Sequence, residues 1–177
     1  MQQRTRAALV IAAAALAAGP GWAAGKAHEH GAVKLDVAID GNKLVVAMEA
    51  PLDNLLGFER APRNDAERKA AADVLARLRS GSGLFTADTA AGCTLARAEV
   101  TAAVLEPGYK AAGKDEHADV DASYEFVCTQ PAELKALSLG LFDAYKRIQR
   151  IDVQVAGPGA QLKQTLRRPL RVVKLVR

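Results

Sequence analysis

The sequence predicts an α+β fold: a mostly antiparallel β-sheet with one main helix and short helical turns. Three observations carry that prediction. Apolar residues alternate with polar ones in a series of short runs. A single stretch has the 3.6-residue apolar period together with both helix caps. Turn residues join neighbouring runs tightly enough for hairpins, which favours antiparallel pairing.

The first element is not part of the fold. A basic head (Arg4, Arg6), an apolar run from Ala7 to Ala18, a Gly19–Pro20 break and small residues at Gly21 and Ala23 make residues 1–23 read as a secretory signal peptide. A cut after Gly25 satisfies the small-residue rule as well, and neither cut leaves a cysteine to carry lipid. The apolar run is shorter than the ~20 residues that cross a bilayer, and no second run of that kind follows, so no membrane span is expected. Residues 24–177, about 150 in all, suit a single domain. Without Arg4 and Arg6 the chain has 22 basic and 20 acidic residues, a formal +2, which does not point to nucleic acid.

Val33, Leu35, Val37 and Ile39 alternate with Lys34, Asp36 and Asp40 as a half-buried strand. Asp40-Gly41-Asn42 turns the chain into a second strand carrying Leu44, Val46 and Met48. Pro51 ends it and opens a corner, "APLDNLLGFERAP", in which Asp53 caps a short turn, Leu55 and Leu56 plug inward, and Gly57 allows a reversal before Phe58. The main helix is expected from about Asp65 to Arg79. Asn64 is its N-cap with Glu67 three residues on, its apolar stripe is Ala71, Val74, Leu75 and Leu78, and Gly81 or Gly83 stops it. Strands are then expected at Cys93–Leu105, Val120–Cys128, Leu137–Leu141, Ile151–Ala156, Leu162–Arg167 and Leu170–Val176, with a helical turn at Phe142–Ile148. Each half also runs from a strand into a Pro-initiated Leu-rich corner and then a helical piece, a loose pseudo-twofold pattern.

Cys93 and Cys128 in an exported chain are most economically one disulfide, closing a loop worth about 3–4 kcal/mol on the chain-entropy account. The basic tail "LKQTLRRPLRVVKLVR" has six cations and no acid. Such a tail suits an anionic surface or acidic partner, although its alternation with Leu and Val reads more simply as the solvated face of strands.

Two groups of residues bear chemistry. His28 and His30 open the first strand, and if that strand extends backwards both imidazoles lie on its polar face and can share an ion. The stretch 108–122 forms an exposed acidic and histidine-bearing loop, where the parity of Val120 and Ala122 puts Asp115, His117, Asp119 and Asp121 on one face. Mixed nitrogen and oxygen donors suit zinc, and an imidazole pair also suits copper or nickel. Since a metal ligand must be neutral imidazole, affinity at such a site should fall as pH drops from about 7.5 to 5.5. Catalysis is not expected: no serine has a nucleophile-elbow context, no Gly-rich phosphate loop is present, and nothing buries Asp119 or Asp121 as a general acid.

The blocks "HEHGAVKLDVAIDGNKLVVAMEAPLDNLLGFERAP", "AAGCTL", "YEFVCTQP" and "LGLFDAYKRIQRIDVQV" resemble the ZrgA-type zinc-regulated periplasmic proteins, formerly a domain of unknown function. The resemblance covers nearly all of the chain after residue 23, and "PLDNLLGFE" with the two cysteines is its most specific part. It implies a periplasmic location and a zinc-binding accessory to a zinc-import system. His28, His30 and Gly31 match the family's opening pattern, while only His117 stands where the family has a long His/Asp-rich tract. The expected function is thus a non-enzymatic zinc-binding accessory linked to zinc uptake, with His28 and His30 as principal ligands and His117, Asp115 and Asp119 as supplementary ones. The alternative is a metal-independent envelope module that binds a protein.

Overall fold

The computed structural model describes residues 29–106, 108–109, 118–158 and 160–176. The first hairpin forms as its turn chemistry requires. Strand β1 (Ala32–Asp40) pairs antiparallel with β2 (Lys43–Pro51), Lys34 opposite Glu49 and Asp40 opposite Lys43. Gly41 takes a φ of 56°, open to glycine without steric cost. β1 begins at Ala32 because Gly31, at φ 82°, turns the chain just before it. The backward extension to His28 and His30 is therefore corrected for His30, which belongs to a turn.

After β2 comes the one-turn helix α1 (Leu52–Leu56), then the main helix α2 (Asp65–Ser80). Asn64 caps α2 by accepting from the Glu67 N–H at 2.9 Å, and Gly81 ends it in the left-handed conformation. Glu67 does not close the usual reciprocal box on Asn64. Its carboxylate instead takes the Arg63 N–H at 2.8 Å and a two-pronged grip from Arg60 at 2.6 and 2.9 Å.

The remaining strands are β3 (Phe85–Ala87), β4 (Cys93–Thr101), β5 (Asp119–Cys128), β6 (Ala136–Leu139), β7 (Arg150–Gly157), β8 (Ala160–Arg167) and β9 (Val172–Lys174), with a short helix α3 (Leu141–Ala144) between β6 and β7. β4 stops at Thr101, and Ala103–Leu105 is a 3-10 turn, so the expected strand to Leu105 is too long. Val104 is buried by that turn. The helical turn expected over Phe142–Ile148 is the shorter α3, and the last strand is three residues rather than the run from Leu170 to Val176.

Six strands form one sheet in the order β4-β5-β2-β1-β7-β8, and β3-β6-β9 form a second. β1 and β7 are parallel, whereas every other pairing is antiparallel. Cys93 and Cys128 are register partners on β4 and β5 and form the disulfide. One face of the large sheet is fully apolar: Val33, Leu35, Val37, Leu44, Val46, Met48, Val120, Tyr124, Ile151 and Val153 are all buried. α2 and the small sheet cover that face. The buried Tyr124 hydroxyl donates to the Leu78 carbonyl at 3.0 Å, and the Phe85 ring lies 4.8 Å from the Tyr124 ring. Burial raises the Tyr124 phenol well above its ordinary range, so it stays a donor. The alternate face carries Lys34, Asp36, Ala38, Ala47, Asp121 and Gln154, exposed as expected of an antiparallel sheet with one wet side.

The corner packs differently from its sequence reading. Leu52 is fully buried, and Leu55, Leu56 and Phe58 are half-buried against or beside the core. The side chain that goes deepest beside Leu52 is Asn54, at 1% exposure the one buried polar residue among the described residues. Its carboxamide accepts from the Gly31 N–H at 2.6 Å and donates to the Ala32 carbonyl at 2.7 Å.

Replacing Asn54 by Ala leaves two buried backbone groups at the start of β1 without their partner. Asn54→Ala should therefore lose about 1–3 kcal/mol in denaturant unfolding; an unchanged midpoint would show that water replaces the carboxamide freely. The Arg60 grip and the Arg63 N–H hold the Glu67 carboxyl at about 2, against an ordinary value near 4.5. Because the folded value is the lower one, this stabilisation is full above about pH 4.5 and disappears as pH falls toward 2. The difference in melting temperature between wild type and Glu67→Gln should shrink through that window, and a constant difference would contradict it.

Candidate metal centre

The site starts from a three-residue segment, Glu29 to Gly31, pinned from several directions. Glu29 offers its carbonyl to the Ala32 N–H at 3.0 Å, closing the turn that Gly31 makes possible. The Gly31 carbonyl accepts the N–H groups of Gln149 and Arg150 at 2.8 and 2.9 Å, which docks the turn on the entry to β7. Its own N–H goes to buried Asn54. The Glu29 carboxylate is then gripped by both terminal nitrogens of Arg150, at 2.8 and 2.6 Å. Arg150 also donates to Asp152 at 2.8 Å, and Asp152 accepts the Thr165 hydroxyl at 2.8 Å. The Arg150 hydrogen bonds and charge hold the Glu29 carboxyl below its ordinary value.

Fixing the residues on either side of His30 leaves its imidazole standing out, 60% exposed, with Nε2 at 3.1 Å from Glu59 Oε1. Glu59 is 17% exposed and sits where the corner has just reversed. That reversal is itself anchored. Gly57 takes φ 83° and donates to the Asp53 carbonyl at 2.8 Å. Arg147, from the turn after α3, holds the Asp53 carboxylate at 2.8 and 2.9 Å and its carbonyl at 2.9 Å. On the other side of Glu59, Arg60 lies 4.9 Å above the Phe58 ring and reaches Glu67. Glu29–Gly31 and Pro51–Glu59 thus form one unit, joined by Asn54 to backbone and by Glu59 to His30.

Of the residues singled out in the sequence, His28, Asp115 and His117 lie outside the described residues. Asp119 begins β5, opposite Pro51. It occupies the same end of the sheet as His30, but β2 intervenes between β5 and β1, so the two strands are two spacings apart, roughly 10 Å. No three His, Cys, Asp or Glu side chains among the described residues are close enough to hold a metal ion. What is assembled is a pair of donors, one imidazole nitrogen and one carboxylate oxygen, where zinc takes three or four protein ligands.

Glu59 escaped the sequence reading because it is 29 positions from His30 and follows no strand or helix period. The "GFE" ending of the most specific block was the signal that could have found it. The open sheet face also has hollows, one of about 360 Å³ lined by Asp36, Glu49, Glu99 and Asp121 together with Lys34. Its carboxylates are partly neutralised, since Lys34 pairs with Glu49 at 2.7 Å and Arg97 with Glu99 at 2.5 Å. No histidine lines it.

A family model described as ZrgA family zinc uptake protein matches residues 27–175, a span that includes both blocks of the junction and the disulfide. No curated protein matches the chain.

Proposed function

This chain belongs to the ZrgA family of zinc uptake proteins, and from that premise we propose that it is a non-enzymatic periplasmic accessory that binds zinc as cargo for an import system. The observation that carries the reading is His30: a solvent-facing imidazole on a segment braced from both sides, with a carboxylate at 3.1 Å and a second histidine two residues earlier. Bracing lowers the entropy lost when a ligand is fixed on the ion. Exposure serves cargo, because an ion that is handed on must exchange. His28 and His30 are the principal ligands in this reading, and Asp115, His117 and Asp119 are candidates to strengthen the hold.

Mixed imidazole and carboxylate donors accept zinc, copper or nickel alike, so the cargo is identified by the family rather than by the donor set. The import component that receives the ion is the expected protein partner. No helix among the described residues is long and apolar enough to cross a membrane.

Calorimetric zinc titration of the processed, tag-free protein tests the reading. Wild type should bind one ion, and His28→Ala/His30→Ala should weaken it by about tenfold or more, since removing two of three or four ligands leaves only one or two donors on the ion. Equal affinity in the double variant would move the site elsewhere and favour the metal-independent interaction module.

A further inference from the structure

We infer that Glu59 is a zinc ligand alongside His30, and that Asn54 and the Glu29–Arg150 pair are positioning residues for that two-donor site. The inference deepens the proposed zinc-binding reading and rests on it.

Three observations lead there. The first is spacing. Two donors on a tetrahedral zinc, each about 2.0–2.1 Å from the ion, stand roughly 3.3 Å apart. His30 Nε2 and Glu59 Oε1 are 3.1 Å apart, so an ion can enter between them with a displacement of a few tenths of an ångström. The second is that Glu59 is already held. Gly57 and the Arg147–Asp53 grip fix the chain before it, and Arg60 is tied to Glu67 immediately after it. A carboxylate at 17% exposure on so constrained a corner loses little freedom on binding a metal.

The third observation separates Glu59 from its neighbour. Glu29 is closer to His30 in sequence and to His28, but both of its carboxylate oxygens are engaged by Arg150. That grip withdraws Glu29 from the metal and fixes the backbone from which His30 projects, while Asp152 offsets the Arg150 charge close to the site. The opposite face of the same segment is held by the Asn54 carboxamide. The "HEHG" block divides its work accordingly: the histidines bind, Glu29 anchors, and Gly31 turns.

A latch would use the same His30–Glu59 contact without any metal, so the experiment must tell the two apart. Zinc affinity, the cobalt(II) absorption spectrum and thermal unfolding are measured for wild type, His30→Ala, Glu59→Gln, Glu59→Asp and Arg150→Lys. Glu59→Gln keeps size and hydrogen bonding but removes the anionic ligand. Zinc affinity should fall about 10–100-fold in Glu59→Gln, with a changed cobalt spectrum and little change in melting temperature. Glu59→Asp, which keeps the carboxylate, should recover part of the loss. Arg150→Lys retains charge but loses the fork, and should weaken zinc binding several-fold with the same cobalt band shape, since the ligands themselves remain. If Glu59→Gln matches wild type in affinity and spectrum while His30→Ala does not, Glu59 is only a latch and this inference is overturned with the zinc reading intact. If wild type binds no zinc, the reading beneath it falls as well.

Discussion

The carboxamide of Asn54 is the contact on which the arrangement of this end of the molecule depends. β1 is one of the two central strands of the large sheet, flanked by β2 on one side and by the parallel β7 on the other. Its first residues leave an N–H at Gly31 and a carbonyl at Ala32 facing the interior corner, and Asn54 satisfies both. A buried polar group is stabilising only when its partners are present, because each orphaned group costs about 1–3 kcal/mol. An apolar residue at this position would fill the space but abandon both backbone groups. One side chain thereby ties the strand start to α1, alongside the Gly31 turn and the β7 backbone bonds that hold the same segment.

From that fixed point the site follows by addition. Gly31 turns the chain out of the sheet, Arg150 holds Glu29, and Arg147 holds the opposite wall through Asp53. Each anchor is a guanidinium fork on a carboxylate or a backbone bond, interactions with defined direction as well as strength. The result is a rigid mount for an exposed imidazole rather than an enclosed cavity.

Much of the fold could be read from the chain because it is written in short-range patterns. The first hairpin, the caps of α2, the apolar alternation of β5 and the pairing of Cys93 with Cys128 are each local or follow from compartment and parity. The strand start was not legible in the same way: alternation runs smoothly back from Val33, and only the φ of Gly31 interrupts it. Nor was the inward face of α1. Five residues make less than two turns, so periodicity has nothing to average: the direction of entry from Pro51 sends Leu52 and Asn54 deepest, while Leu55 and Leu56 pack half-buried against the core. In the site, His30 was visible as a residue type in an unusual place. Its partner Glu59 was not, because their meeting depends on β1, α1 and β7 converging, and no spacing in the sequence encodes that.

Whether the junction of strand start and corner holds the ion is read by anomalous diffraction at the zinc edge, from crystals of the processed protein grown with zinc. A peak between His30 Nε2 and the Glu59 carboxylate, about 2 Å from each, is the expected result. A peak confined to other residues, with His30 and Glu59 still in direct contact, would contradict it.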